Sequence, residues 1–158
     1  MNFIKKHWFS ILCFVLSLLF YMLPNIFFKI DKEFYYSLEG PHLPPIVFII
    51  VWTVIYILMS VFNAYYINLY KEKRNNSLIK MFVFIGINYV ANILYVPLFF
   101  MLQNLFLSFV VCLVVLITIC LIALESLIYN KKITLITLPY IIWSIVGTVL
   151  AILFYLQN

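Results

Sequence analysis

The groups in this chain best suited to holding or transforming a ligand are carboxamides and aromatic rings, and they recur at helical spacing. Asn88, Asn92, Tyr95 and Phe99 follow one another at intervals of four, three and four residues, which places them on one helix face. Phe48, Trp52 and Tyr56 form a second ladder, continued by Ser60 or Asn63. Tyr140, Trp143, Gly147, Leu150 and Ala151 lie along a third stripe. Rings on two helices with amides on another suit a large, flat, conjugated molecule. Stacking adds ~0.5–1.5 kcal/mol per ring pair beyond area burial. A purely architectural use is open for each feature. Asparagines inside an apolar segment also serve as glue between helices, at ~0.6–2 kcal/mol per contact. Gly147 and Ala151 form a small-xxx-small pair that permits close helix approach; alternatively, Gly147 leaves room for a flat ligand against Trp143.

Conventional chemistry has little to work with. The sequence holds no carboxylate pair, no Ser/His pair and no phosphate-cradling glycine loop, so ordinary hydrolysis or phosphoryl transfer is not expected. Cys13, Cys112 and Cys120 all lie in apolar runs, with no CxxC and no histidine cluster, so no metal and no cofactor is expected; Cys112, in the outer half of the fourth helix, is a candidate ligand contact. Cys112 and Cys120 would stand about 12 Å apart on one helix, too far to bridge. Glu125 lies near the end of an apolar run, and its closeness to Lys131 and Lys132 predicts an interfacial ion pair. His42 follows the Gly40-Pro41 turn signal; it and Pro41 are candidate ligand contacts from a loop.

These residues need a scaffold, and composition says which kind. The 158 residues are 67% hydrophobic and 9% charged, more apolar surface than a soluble domain of this size can hide. Lipid must be the solvent for most of the chain. The net charge of +5 comes from short basic clusters between apolar runs, which is a topology signal and not a nucleic-acid stripe.

Five apolar runs predict five transmembrane helices, at about 7–28, 45–70, 79–102, 106–129 and 133–155, in a single domain spanning 1–158. The first run is longer than the ~7–15-residue core of a cleaved signal peptide. Pro44-Pro45 opens the second helix, where missing N–H groups are tolerated. Pro97 should kink the third and open space near its end. Residues 29–43 form the one substantial loop. Phe34, Tyr35, Tyr36 and Leu38 make it too apolar for a solvated connector, so it should fold back over the bundle, with the cavity opening beneath it. Lys5, Lys6, Lys71, Lys73, Arg74, Lys80, Lys131 and Lys132 fall on one side of the five-span topology, and Lys29 and Lys32 on the other. That bias makes the N-terminus cytoplasmic and puts loop 29–43 and the C-terminus outside.

Three stretches together resemble the TspO/MBR family, the tryptophan-rich sensory proteins of bacteria and the mitochondrial translocator protein (peripheral benzodiazepine receptor). They are Pro44-Pro45 with Val51-Trp52-Thr53-Val54-Ile55-Tyr56, then Asn92, Tyr95, Pro97, Phe99 and Phe100, then Pro139, Tyr140, Trp143, Gly147 and Thr148. The chain departs from the family in having Tyr95 where a tryptophan is usual and Ala151 where an asparagine is usual.

The resemblance implies an all-α, TspO-like bundle of five transmembrane helices, often a homodimer, with a pocket beneath the loop joining helices 1 and 2. It implies a receptor for porphyrins such as protoporphyrin IX and for isoquinoline carboxamide drugs, acting in tetrapyrrole sensing or homeostasis in a bacterial plasma membrane. Two other activities follow from the same kinship. One is breakdown of protoporphyrin IX in light and oxygen, with Trp52 and Trp143 matching the implicated tryptophans. The other is transport of porphyrin or sterol-like ligands; an odd number of spans argues against the repeat-based transporter design.

Overall fold

A computed structural model of the protein describes residues 3–23, 27–28 and 30–158. Helices account for the ordered elements, and the described residues contain no strand. The helices are α1 (Phe3–Met22), the short α2 (Lys32–Ser37), α3 (Pro45–Glu72), α4 (Asn76–Val96), α5 (Leu105–Leu127), the single turn α6 (Lys131–Thr134) and α7 (Leu138–Gln157). Four continuous arms, Pro45–Glu72, Asn76–Met101, Leu105–Leu127 and Lys131–Gln157, are long and apolar enough to cross a membrane; the apolar part of α1, His7–Met22, is shorter. The protein is an all-α integral membrane bundle.

Polar side chains at the turns start the helices. Asn75, Asn104 and Asn130 precede α4, α5 and α6, and each side-chain oxygen accepts from a backbone N–H of the first turn, at 2.9 Å from Ser77, 2.9 Å from Leu107 and 3.0 Å from Lys132. Asp31 does the same for α2 through Phe34 N–H at 3.0 Å. These caps sit at the turns between helices and meet first-turn N–H groups that have no partner within the helix.

Boundaries differ from the sequence expectation where proline or local capping intervenes. α1 ends at Met22, short of residue 28; residues 24–26 and 29 lie outside those described. The helix expected at 79–102 begins at its Asn75 cap and finishes as a π-helical turn, Pro97–Met101, closed by Leu102 N–H donating to Pro97 C=O at 2.9 Å. The expected kink at Pro97 therefore takes the form of a widened turn. The helix expected at 133–155 is broken instead: α6, a 3₁₀ turn (Leu135–Thr137), then α7. Pro139 has no N–H to give to the preceding turn, so the chain restarts there.

α1 packs on α3, α4 on α5, and α5 on α7. Backbone approach of α3 to the last arm is concentrated at the turn 135–137. Beyond that turn the two helices part, and their rings fill the space between. Two cores result. The larger includes Ile55, Met59, Phe62, Tyr66, Met81, Ile119, Ile122 and Tyr140. The smaller lies at the α2 end and joins Tyr35, Leu38, Phe99 and Phe154. Segment 30–43 folds back as expected, and its apolar residues are the cap of the bundle.

Candidate functional site

Between the two cores lies a cavity of about 80 Å³, lined by Phe48 and Trp52 of α3, Asn92 and Tyr95 of α4, Cys112 and Val115 of α5, and Trp143, Ser144 and Gly147 of α7. Four helices therefore meet at one hollow. Helical spacing explains the assignments: Phe48 and Trp52 are one turn apart on α3, and Trp143 and Gly147 one turn apart on α7.

The rings form a continuous wall. Phe48 stands edge-on to Trp143, with centroids 5.5 Å apart at 76°. Trp52 meets Tyr140 edge-on at 5.9 Å and leans on Tyr56 at 5.4 Å. Gly147 contributes empty space: a Cβ built there would find no atom within 4 Å. Close approach of α7 to α5 instead uses the buried row Ser144, Thr148 and Ala151. Thr148 donates to the Cys112 carbonyl at 3.3 Å across that contact. The small-residue packing role considered for Gly147 is thus carried by its neighbours, while Ala151 is buried as that role requires.

The floor is a chain of hydrogen bonds. Asn92 Nδ2 donates to the Tyr140 hydroxyl. Tyr140 donates to Asn88 Oδ1 at 2.7 Å, and Asn88 Nδ2 donates to Val115 C=O at 3.0 Å and to Thr118 Oγ1 at 2.8 Å. The Asn88 amide is thereby satisfied at both ends and the Asn92 amide at its N–H end. The roof is the smaller core. Tyr95 stacks on Phe99 at 5.4 Å, and Phe34 meets Phe99 edge-on at 5.6 Å. Above it Tyr35 ties the loop: its hydroxyl donates to Leu43 C=O at 3.2 Å and accepts from Leu43 N–H at 2.9 Å. Burial pushes the Tyr35 phenol above its usual ionisation range.

Comparison with known proteins agrees with this architecture. The model of the TspO/MBR family matches residues 9–156. This chain belongs to the TspO/MBR family. A relative from Bacillus cereus, described as Tryptophan-rich protein TspO, is 32% identical over 158 residues, 99% of each chain. At family level, membership makes this a membrane sensory protein that binds ligands of the tetrapyrrole type.

Of the residues expected at a site in this TspO/MBR protein, Phe48, Trp52, Asn92, Tyr95, Cys112, Trp143 and Gly147 share the cavity. The others lie around it. Asn88 is buried one turn below, in the floor network. Tyr56 sits behind Trp52, its ring stacked on Tyr21 at 5.6 Å. Phe99 and Leu150 belong to the roof core. His42 braces the cap: Nε2 donates to Tyr35 C=O at 2.8 Å and the ring lies 5.5 Å from that of Phe154. Pro41 is exposed on the loop.

Val115 and Ser144 line the cavity without having been anticipated. Ser144 had a signal, the polar row Tyr140, Ser144 and Thr148 at intervals of four. Val115 had none, since one valine among many on α5 carries no mark.

Glu125 corrects the sequence expectation. Its partner is Lys80 Nζ at 2.5 Å, supported by Ser77 Oγ at 2.9 Å, and not Lys131 or Lys132. The antiparallel α4–α5 hairpin sets Glu125 beside the first turns of α4, whereas Lys131 and Lys132 follow the Asn130 cap onto a new turn.

A second, open groove of about 460 Å³ runs between α1 and α3, lined by His7, Ser10, Phe14, Ala64, Tyr65 and Asn68 among others. Its larger size reflects its openness. Asn68 already donates to Ser10 at 3.1 Å and to Ala64 C=O at 2.6 Å. The groove lacks the tryptophan wall, and the cavity lined by Trp52 and Trp143 is the better candidate.

Proposed function

We propose that this protein is a membrane receptor for porphyrins, protoporphyrin IX or haem-like tetrapyrroles, and for related flat ligands such as isoquinoline carboxamides, in tetrapyrrole sensing or homeostasis. The observation that carries the reading is the meeting of Trp52, Trp143, Phe48 and Tyr95 with the Asn92 amide around one hollow. The hollow is smaller than the ~300–1,000 Å³ of typical ligand pockets. A tetrapyrrole therefore requires the roof rings and the cap 30–43 to move outward. That roof is held mainly by ring contacts and a few loop hydrogen bonds, so opening breaks no helix.

The test is a fluorescence-quenching titration with protoporphyrin IX. Trp52→Ala and Asn92→Ala should each weaken binding about tenfold, ~1.4 kcal/mol. Unchanged affinity in both variants would exclude the cavity as the binding site.

A second reading is favoured by one observation: Trp52 and Trp143 line the same cavity, so both would adjoin a bound porphyrin. In that reading bound protoporphyrin IX is degraded in light and oxygen with these two indoles as redox participants. Illuminated, aerated protein that alters the porphyrin spectrum no faster than free porphyrin would rule it out. Transport of porphyrin or sterol-like ligands ranks below both, and a proteoliposome flux measurement decides it.

For membrane context, the lysine and arginine distribution supports a bacterial plasma membrane with the N-terminus cytoplasmic and the 30–43 cap outside. Reporter fusions after residue 73 and after residue 158 should report opposite sides. Kinship also supports a homodimer, checked by light scattering in detergent.

A further inference from the structure

The hydrogen-bond chain beneath the cavity has a direction, and the direction dictates what the ligand must bring. It starts at Val115 C=O, a group that only accepts. Asn88 bonds to that carbonyl at 3.0 Å, so its Nδ2 must face it. Asn88 Oδ1 is then the atom turned to Tyr140, 2.7 Å away, and an amide oxygen also only accepts. The single Tyr140 proton is therefore committed to Asn88. What the Tyr140 oxygen has left is lone pairs, so Asn92 must meet it with Nδ2. Asn92 Oδ1 remains, on a residue that lines the cavity, with no donor to it among the described residues. Ser144, also in the lining, is similarly committed: its hydroxyl proton goes to Tyr140 C=O at 2.7 Å, leaving only lone pairs.

We propose that Asn88 and Tyr140 are positioning residues that turn the Asn92 carbonyl oxygen to the cavity, so that the site selects flat ligands presenting an N–H or O–H donor to its floor. The inference rests on the reading of the cavity as a ligand site and narrows the ligand class: among the proposed ligands it favours those carrying an N–H or a protonated carboxyl at the ring edge, over haem and over carboxamides without an N–H, which offer that floor only acceptors. A ring system with only acceptors at that edge would set lone pairs against lone pairs in an apolar surrounding, where an unmet polar group is costly. Flipping the Asn92 amide to help it would break the bond to Tyr140, and through Tyr140 disturb Asn88.

The experiment uses the full chain in detergent and two isosteric probes, 5-fluoroindole, which carries an N–H, and 5-fluorobenzothiophene, which does not. Binding is followed by ¹⁹F NMR against protein-free micelles, and protoporphyrin IX quenching is measured on the same samples. The wild type should bind the indole about tenfold more tightly than the benzothiophene. Tyr140→Phe frees the Asn92 amide to turn, and Asn92→Leu removes it; in each the ratio should fall below about twofold. The ratio, not either affinity, is the readout, because general loosening of the bundle would weaken both probes together. Should Tyr140→Phe not fold, Asn92→Leu alone decides.

A wild-type ratio near one, or a tenfold ratio kept in the variants, overturns the proposal while protoporphyrin quenching leaves the receptor reading standing. Quenching without binding of either probe also overturns the proposal alone. Absence of both probe binding and quenching overturns the proposal and the receptor reading together.

Discussion

Phe48 and Trp143 face each other from α3 and α7 with ring centroids 5.5 Å apart at 76°, closing the cavity toward the cap. Phe48 also meets Tyr35 of the cap edge-on at 6.2 Å. One phenylalanine thus joins the wall of the hollow to its cover. Phe48→Ala should remove that plug and speed porphyrin association several-fold in stopped-flow quenching, with dissociation accelerated as well. An unchanged association rate would mean that ligands reach the cavity by another route.

Gly147 separates space from packing. Because a Cβ there meets nothing within 4 Å, Gly147→Ala should fold normally and gain stability, about 0.5–1 kcal/mol from helix propensity. Gly147→Phe should fill the hollow instead and weaken protoporphyrin IX binding at least tenfold. Thermal unfolding in detergent reads the first effect and quenching the second.

The cap is tied to the end of α7. Asn158 accepts from Glu39 N–H at 2.9 Å and donates to Glu39 C=O at 3.0 Å. Beside it Gly40 has φ +127° and lies so close to α7 that a Cβ would come within 2.7 Å of Gln157 Oε1. Asn158→Ala should raise amide hydrogen exchange across residues 38–43 by several-fold and leave that of α5 unchanged. Gly40→Ala should loosen the same segment through backbone strain, since a side chain disfavours that φ even where the glutamine end moves aside.

Tyr35 makes the cap sensitive to alkali. Its folded ionisation lies above the usual phenol value of about 10, owing to burial. The folded state holds the proton more tightly than the open one. The anchoring contribution is therefore complete below about pH 10 and declines as pH rises beyond it. Exchange at residues 38–43, corrected for intrinsic base catalysis, should increase above pH 10 in the wild type. Tyr35→Phe should raise it at all pH values and remove that extra rise.

Glu125 and Lys80 should matter little to binding. The lysine is well exposed, at 60%, so the pair is worth about 0–1 kcal/mol. Glu125→Gln should lower stability by no more than that, in a salt-sensitive manner, and leave the protoporphyrin titration unchanged. A large loss of affinity would tie this acid to the ligand site and contradict its role as a surface partner of Lys80.

How much could be read in advance depends on how local each determinant is. The apolar runs forced a membrane bundle, because so few charges leave no other solvent, and intervals of three and four aligned Trp52 with Phe48 and Asn92 with Tyr95. These follow from helix geometry within one segment. Proline chemistry was legible as a disturbance, but not as the π turn at Pro97–Met101 or the break before Leu138. Those outcomes depend on which neighbouring carbonyls remain to be satisfied.

The one-dimensional pattern thus settled which residues share a helix face and that lipid surrounds them. Only assembly of the helices decided what each face meets. Asn88 and Asn92 are equivalent by spacing, yet one is buried in the floor beside α5 and the other borders the hollow. Glu125 chose Lys80, 45 residues away, over lysines six and seven residues on. Gly147 could be read as a packing glycine or as room for a ligand, and only the assembled bundle shows open space beside it. The rotation and depth of one helix against another come from the interlocking of many side chains remote in sequence, and no single segment carries that information.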